Sequence, residues 1–169
     1  VDLDAAKRLG IKVFNTPDAP SQAVAELTIG LMLAVLRRIA EGDAAIRRDD
    51  WKPLMGRLLG SRTVGIVGLG RIGARVAKLA AAFGCPVLAY EPRPDAAIPA
   101  GTKKVSLNEL LTNSDIVTLH VPMSPENRNL INANRLAAMK TGSILINASR
   151  GGLVDETALL AALKSRRLS

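Results

Sequence analysis

The segment Thr63-Val64-Gly65-Ile66-Val67-Gly68-Leu69-Gly70-Arg71-Ile72-Gly73 constrains this chain more than any other. A short β-branched apolar run passes straight into G-x-G-x-x-G. Apolar residues at helical spacing follow through Ala77, Leu79, Ala80 and Phe83, until Gly84 stops them. A second apolar run, Pro86-Val87-Leu88-Ala89-Tyr90, ends on Glu91, 18 residues beyond Gly73. Strand, glycine turn, helix, strand, then an acid at an offset of roughly 20 residues is the order that a dinucleotide-binding βαβ unit requires. Each glycine has a steric task in such a unit. Gly68 permits the tight turn, Gly70 presents no Cβ to a pyrophosphate, and Gly73 lets the helix lie close to the strand. The helix start offers unpaired N–H groups and the positive end of its dipole to phosphates.

The remaining pattern repeats strand and helix. Strands are predicted at 63–68, 86–90, 102–105, 115–121 and 143–147. The second, fourth and fifth are apolar without alternation, as expected where both sheet faces are covered. Ser106-Leu107-Asn108-Glu109 reads as a capping box, and Asn132 and Asp155 as N-caps. These signals predict a doubly wound parallel α/β sheet of the Rossmann type. Upstream, Leu3 to Leu9 reads as a helix closed by Gly10, Ile11 to Phe14 as extended, and Asn15-Thr16-Pro17 as a turn. Pro20-Ser21 opens a helix predicted to reach about Arg47, apolar on nearly every face as far as Leu36 and so buried on several sides. Residues 49–60 form an irregular arm whose Trp51 anchors either a partner or its own domain. The uncapped start and the count of five strands, where two mononucleotide halves use six, predict a domain truncated at both ends.

At 48% hydrophobic and 22% charged, 169 residues carry enough apolar material for one core, and no stretch reads as disordered. Leu27 to Leu36 is shorter than the about 20 residues that span a bilayer, and Glu26 and Arg37-Arg38 bracket it, so no membrane partner is expected. No secretory leader is read at the start, and the single cysteine, Cys85, reads as a small buried hydrophobe. Together these point to a cytoplasmic protein. The net charge of +8 allows a nucleic-acid surface. The cations are scattered in pairs, however, and one tryptophan, one tyrosine and two phenylalanines make no stacking platform. No nucleic-acid partner and no metal are expected, and the charge is read as drawing anionic ligands.

In a sheet of this kind, ligands bind beyond the carboxyl ends of the strands. Glu91, His120-Val121-Pro122 and Ala148-Ser149-Arg150-Gly151-Gly152 are predicted there. Arg150 follows a buried strand and precedes two glycines. Its fork suits a carboxylate and an adjacent carbonyl, or else a salt bridge to Asp155 or Glu156. His120, the only histidine, is either a proton donor or a residue lining the nucleotide pocket.

Four blocks carry a resemblance to a known family. They are Asn15-Thr16-Pro17 through Ala23-Val24-Ala25-Glu26-Leu27; Thr63 to Gly73; Ser114-Asp115-Ile116-Val117-Thr118-Leu119-His120-Val121-Pro122; and Met139-Lys140-Thr141-Gly142-Ser143 on to Asn147-Ala148-Ser149-Arg150-Gly151-Gly152-Leu153-Val154-Asp155-Glu156. With these, the chain resembles the nucleotide-binding domain of the D-isomer-specific 2-hydroxyacid dehydrogenases. The resemblance implies NAD as cofactor and hydride transfer between its nicotinamide and C2 of a small 2-hydroxy or 2-keto acid. It implies Arg150 as the catalytic arginine that binds the substrate carboxylate. Gly68, Gly70, Arg71, Ile72 and Gly73 would surround the pyrophosphate, Glu91 would hold the adenosine ribose, and Val121, Ala148 and Ser149 would line the dinucleotide. The family's catalytic histidine and glutamate lie beyond Ser169, which moves His120 to the cofactor side of the cleft. Residues 1–17 then read as a remnant of a substrate domain and 18–169 as an incomplete dinucleotide-binding domain. A homodimer through the helix at 21–40 and the following arm is implied too. A second reading is a non-catalytic NAD-sensing protein of the corepressor type on the same fold. Glu91 stands where aspartate is more usual, with Arg93 two residues on. The acid favours NAD over NADP, and the arginine acts in the opposite sense.

Overall fold

A computed structural model describes all 169 residues. Five parallel strands form one sheet: β1 (Val64–Val67), β2 (Val87–Tyr90), β3 (Thr102–Lys104), β4 (Ile116–Leu119) and β5 (Ile144–Asn147). Their order is β3-β2-β1-β4-β5. The chain winds outward from β1 in one direction, then returns to β1's other side and winds outward again. The order thus reverses between β1 and β4, and in a doubly wound sheet that reversal opens a crevice at the carboxyl ends. The register is continuous, with Val67 level with Tyr90 on one side and with Leu119 on the other. β5 is an edge strand. On its outer side the only pairing is a parallel bridge between Ser143 and Leu168.

Two helical layers cover the sheet. Helices α2 (Ser21–Leu36) and α4 (Arg71–Ala82) bury Ala25, Ile29, Met32, Val76, Ala77 and Ala80 against Val64, Ile66, Val87, Ile116 and Ile144. On the other face α5 (Leu107–Asn113), α6 (Ala133–Ala138) and α7 (Glu156–Lys164) pack around Val67, Val117 and Leu119. Adjacent residues of one strand feed opposite layers, as the period-2 geometry of a strand demands. β1 and β4 are buried at every position, whereas β2 and β5 alternate, which corrects the reading of both as uniformly buried. Leu88, Tyr90 and Leu145, only partly buried, face the second layer, whose α5 and α6 have two turns or less and cover less of the sheet.

Local signals place the helix starts. Asp2 caps α1 (Leu3–Arg8), Ser106 caps α5, Asn132 caps α6 and Asp155 caps α7, each side-chain oxygen accepting a backbone N–H from the first turn. The capping box is only half made, because the Glu109 carboxylate turns to Lys103 instead. Ile11 to Phe14 joins no strand.

The long helix predicted from Ser21 to Arg47 is two helices. α2 ends at Leu36 and α3 (Ile39–Ile46) begins beyond Arg38, whose φ of 55° interrupts the ladder. Arg38 is held there by a forked contact on Glu41, with Nε donating at 2.7 Å and Nη2 at 2.5 Å. α2 is not covered all round either. Leu27, Leu31 and Val35, spaced four apart on one face, remain exposed. Trp51 is 83% exposed and does not pack into its own domain. Cys85 is buried as expected, its thiol 3.4 Å from the Leu59 carbonyl oxygen. No helix is long and apolar enough to cross a membrane.

Candidate functional site

The carboxyl ends of β1, β2, β4 and β5 open onto one crevice. At its floor, β1 turns into α4 through Gly68-Leu69-Gly70. Gly68 has φ +96°, a left-handed conformation that side chains oppose, and a Cβ there would meet the His120 carbonyl oxygen at 2.8 Å. At Gly73 a Cβ would run into the Gly68 carbonyl oxygen, so helix and strand touch backbone to backbone. Gly70 is different. A Cβ there meets nothing within 4 Å, so the space beside it is open and no contact within the fold requires a glycine. No side chain caps α4 and its first turn holds no acid, so the N–H groups at its start keep their hydrogen-bonding capacity. An open notch beside an uncapped helix start fits a pyrophosphate. Arg71, the first residue of α4, forms an ion pair with Asp18 at 2.9 Å in the segment leading to α2.

Glu91 sits across the crevice at the end of β2, 6% exposed. Its Oε2 accepts from the Leu69 backbone N–H at 2.8 Å, which ties the acid to the glycine turn. Arg93 donates to Oε1 through its backbone N–H (3.1 Å) and Nε (3.0 Å), and to Oε2 through Nη2 (3.2 Å). These bonds, the Arg93 side chain first, hold the Glu91 carboxyl down to about 2 against the opposing pull of burial. The acid is a carboxylate at any working pH.

The opposite wall brings His120, Val121, Ala148, Ser149 and Arg150 together with Ile72 around one cleft. Ser149 Oγ donates to the Leu119 carbonyl oxygen at 2.7 Å, pinning the loop after β5 to the end of β4. Arg150 forms no ion pair with Asp155 or Glu156. Its Nη1 donates only to the Ser149 carbonyl oxygen at 3.0 Å, and the side chain is exposed. Of the two readings left open for Arg150, the salt bridge is therefore not made, and Asp155 instead caps α7 through Ala158 N–H at 3.0 Å. His120 Nε2 lies 3.0 Å from Thr118 Oγ1, and Nδ1 is buried without a partner. Burial lowers its pKa to about 4, so the ring is neutral at physiological pH.

The structure thus gathers Ile72, His120, Val121, Ala148, Ser149 and Arg150 around one cleft, with Gly68, Gly70, Arg71, Gly73 and Glu91 in and beside the turn at the start of α4. Pro122, named with His120 and Val121 at the end of β4, lines the same cleft, and sequence reasoning missed Pro20, Val24 and Met123, which line it too. Met123 follows a strand end and was findable on that ground. Val24 carries no such signal, because an apolar residue at a helix start looks like any core position.

The fold and this crevice define a dinucleotide-binding domain of the doubly wound class. Residues 29–169 match the family model described as D-isomer specific 2-hydroxyacid dehydrogenase, NAD binding domain, and the chain belongs to that family. It is 44% identical to a D-3-phosphoglycerate dehydrogenase from Methanocaldococcus jannaschii, over 99% of this chain and 33% of that protein. It is 42% identical to a hydroxypyruvate reductase from Thermotoga maritima, over 99% of this chain and 55% of that protein. The crystal structure of a D-lactate dehydrogenase with NAD+ from Lactobacillus jensenii superposes with a TM-score of 0.88 at 32% identity, over 99% of this chain and 52% of that one. The chain thus spans between a third and about half of the length of these relatives.

Proposed function

We propose that this chain is the NAD-binding portion of an enzyme that moves a hydride between nicotinamide and C2 of a small 2-hydroxy or 2-keto acid. The observation that carries this reading is the notch at Gly70, open beside an uncapped α4 and facing a buried carboxylate one strand away. When bound, NAD supplies the hydride acceptor or donor. The rest falls to the protein. The N–H groups at the start of α4, with Gly68, Gly70, Arg71, Ile72 and Gly73, hold the pyrophosphate. Glu91 takes the adenosine ribose and, as a carboxylate, favours NAD over NADP by repelling a 2′-phosphate. Val121, Ala148 and Ser149 line the dinucleotide. Neutral His120 contributes shape rather than charge.

Arg150 is the catalytic residue in this chain. Its exposed, unpaired guanidinium grips the carboxylate of the acid and steadies negative charge on the reacting oxygen. Residues 1–17 belong to a substrate domain and 18–169 to the cofactor domain. The exposed apolar face of α2 supports assembly as a homodimer through this helix and the following arm. The single buried cysteine suits the cytosol. None of the relatives named above is a corepressor, and the exposed Arg150 favours the enzyme.

Titration of the chain with NAD by calorimetry tests the reading. Saturable 1:1 binding is the expected result, and an absence of heat at millimolar NAD overturns it.

A further inference from the structure

Glu91 has no acceptor capacity left over. An ionised carboxylate offers about four lone-pair sites. Here Leu69 N–H and Arg93 Nη2 take Oε2, while Arg93 N–H and Nε take Oε1. The ribose hydroxyls that an acid at this place receives in the fold therefore meet a carboxylate already engaged. Two of the four donors belong to one side chain on the solvent side, for the Arg93 side chain is 60% exposed.

Its backbone is fixed. Pro92 and Pro94 each lock their own φ and push Glu91 and Arg93 into extended conformations. Lys104 Nζ donates to the Arg93 carbonyl oxygen at 3.0 Å and ties the segment to β3. The guanidinium can swing away while its Cα stays in place, and when it does so the Leu69 and Arg93 N–H bonds still orient the acid.

We propose that Arg93 sets both the affinity and the selectivity of the ribose end of the site. In the free protein its guanidinium competes for the oxygens of Glu91 that NAD needs. Displaced from them, it presents a planar fork to the 2′-phosphate of NADP. The side chain thus weakens NAD binding and eases NADP binding, which narrows the preference that Glu91 alone would impose. The inference rests on the NAD-binding reading given above.

Calorimetric titration of the unsubstituted chain, Arg93→Ala and Arg93→Gln with NAD and with NADP tests it. Competition by an exposed ion pair corresponds to about two- to fivefold tighter NAD binding in both variants. Loss of the fork weakens NADP by about tenfold. The ratio of the two dissociation constants moves towards NAD accordingly. Unchanged or weaker NAD binding in both variants, with melting temperatures equal to that of the unsubstituted chain, overturns the proposal and shows Arg93 to be a support for Glu91. Failure of NAD to bind even the unsubstituted chain overturns the cofactor reading itself, and the two failures are thereby told apart.

Discussion

Asn147 holds the backbone of Arg150. Its Nδ2 donates to the Arg150 carbonyl oxygen at 2.9 Å, while its Oδ1 accepts the Ser149 backbone N–H at 3.1 Å. The last residue of β5 thus folds the chain back on itself and aims the guanidinium outward from a turn, not from a loose loop. Replacing Asn147 with alanine removes both bonds. The expected loss is about 1 kcal/mol of stability, given that the site is exposed and water replaces part of the bonding. Urea unfolding measures it as a lower midpoint at unchanged slope.

Gly70 and Gly73 separate folding from binding. Gly70→Val puts its Cβ in open space and loses only a favoured N-cap residue, so the urea midpoint falls by the equivalent of about 1 kcal/mol or less while NAD binding disappears. Gly73→Ala forces a methyl group into the Gly68 carbonyl and costs about 1–3 kcal/mol, visible in the same urea experiment before any ligand is added.

Acid is expected to destabilise this protein in two windows. His120 has its folded pKa lowered from 6.5 to about 4, so between those values the unfolded chain binds a proton that the folded one refuses. Stability is complete above pH 6.5 and falls as pH drops towards 4, by about 3 kcal/mol over the window. Glu91 has its folded pKa lowered from 4.5 to about 2, so a second loss begins near pH 4.5 and continues to about 2. A His120→Gln variant measured by urea unfolding at successive pH values loses the upper slope and keeps the lower one.

These pH windows were hidden from the sequence, which contained His120 and Glu91 but not their surroundings. The βαβ unit was legible because its signals are local: glycines, a period change and an acid at fixed spacing. So were the caps at Ser106, Asn132 and Asp155. What sequence reading missed depends on contacts between distant or competing groups. The break at Arg38 comes from a residue driven to positive φ and held by Glu41, inside a run that still looks helical. The partly exposed residues of β2 and β5 reflect the shortness of α5 and α6, which no pattern in the strands records. The fourfold engagement of Glu91 needs Leu69 and Arg93 to converge from two separate turns.

Leu27, Leu31 and Val35 on α2 predict self-association. Leu31→Glu puts a charge in the middle of that exposed apolar face. Sedimentation of the unsubstituted chain at micromolar concentration is expected to show a dimer, and that of the variant a monomer, with the fold intact by circular dichroism. A monomer in both cases removes α2 as an interface.

The bridge from Leu168 to Ser143 leaves Ile144, Leu145 and Ile146 with one row of backbone groups facing outward. An uncharged, apolar rim of this kind is a template for any strand that meets it. Concentrated preparations of these 169 residues will therefore cloud on standing, which light scattering measures.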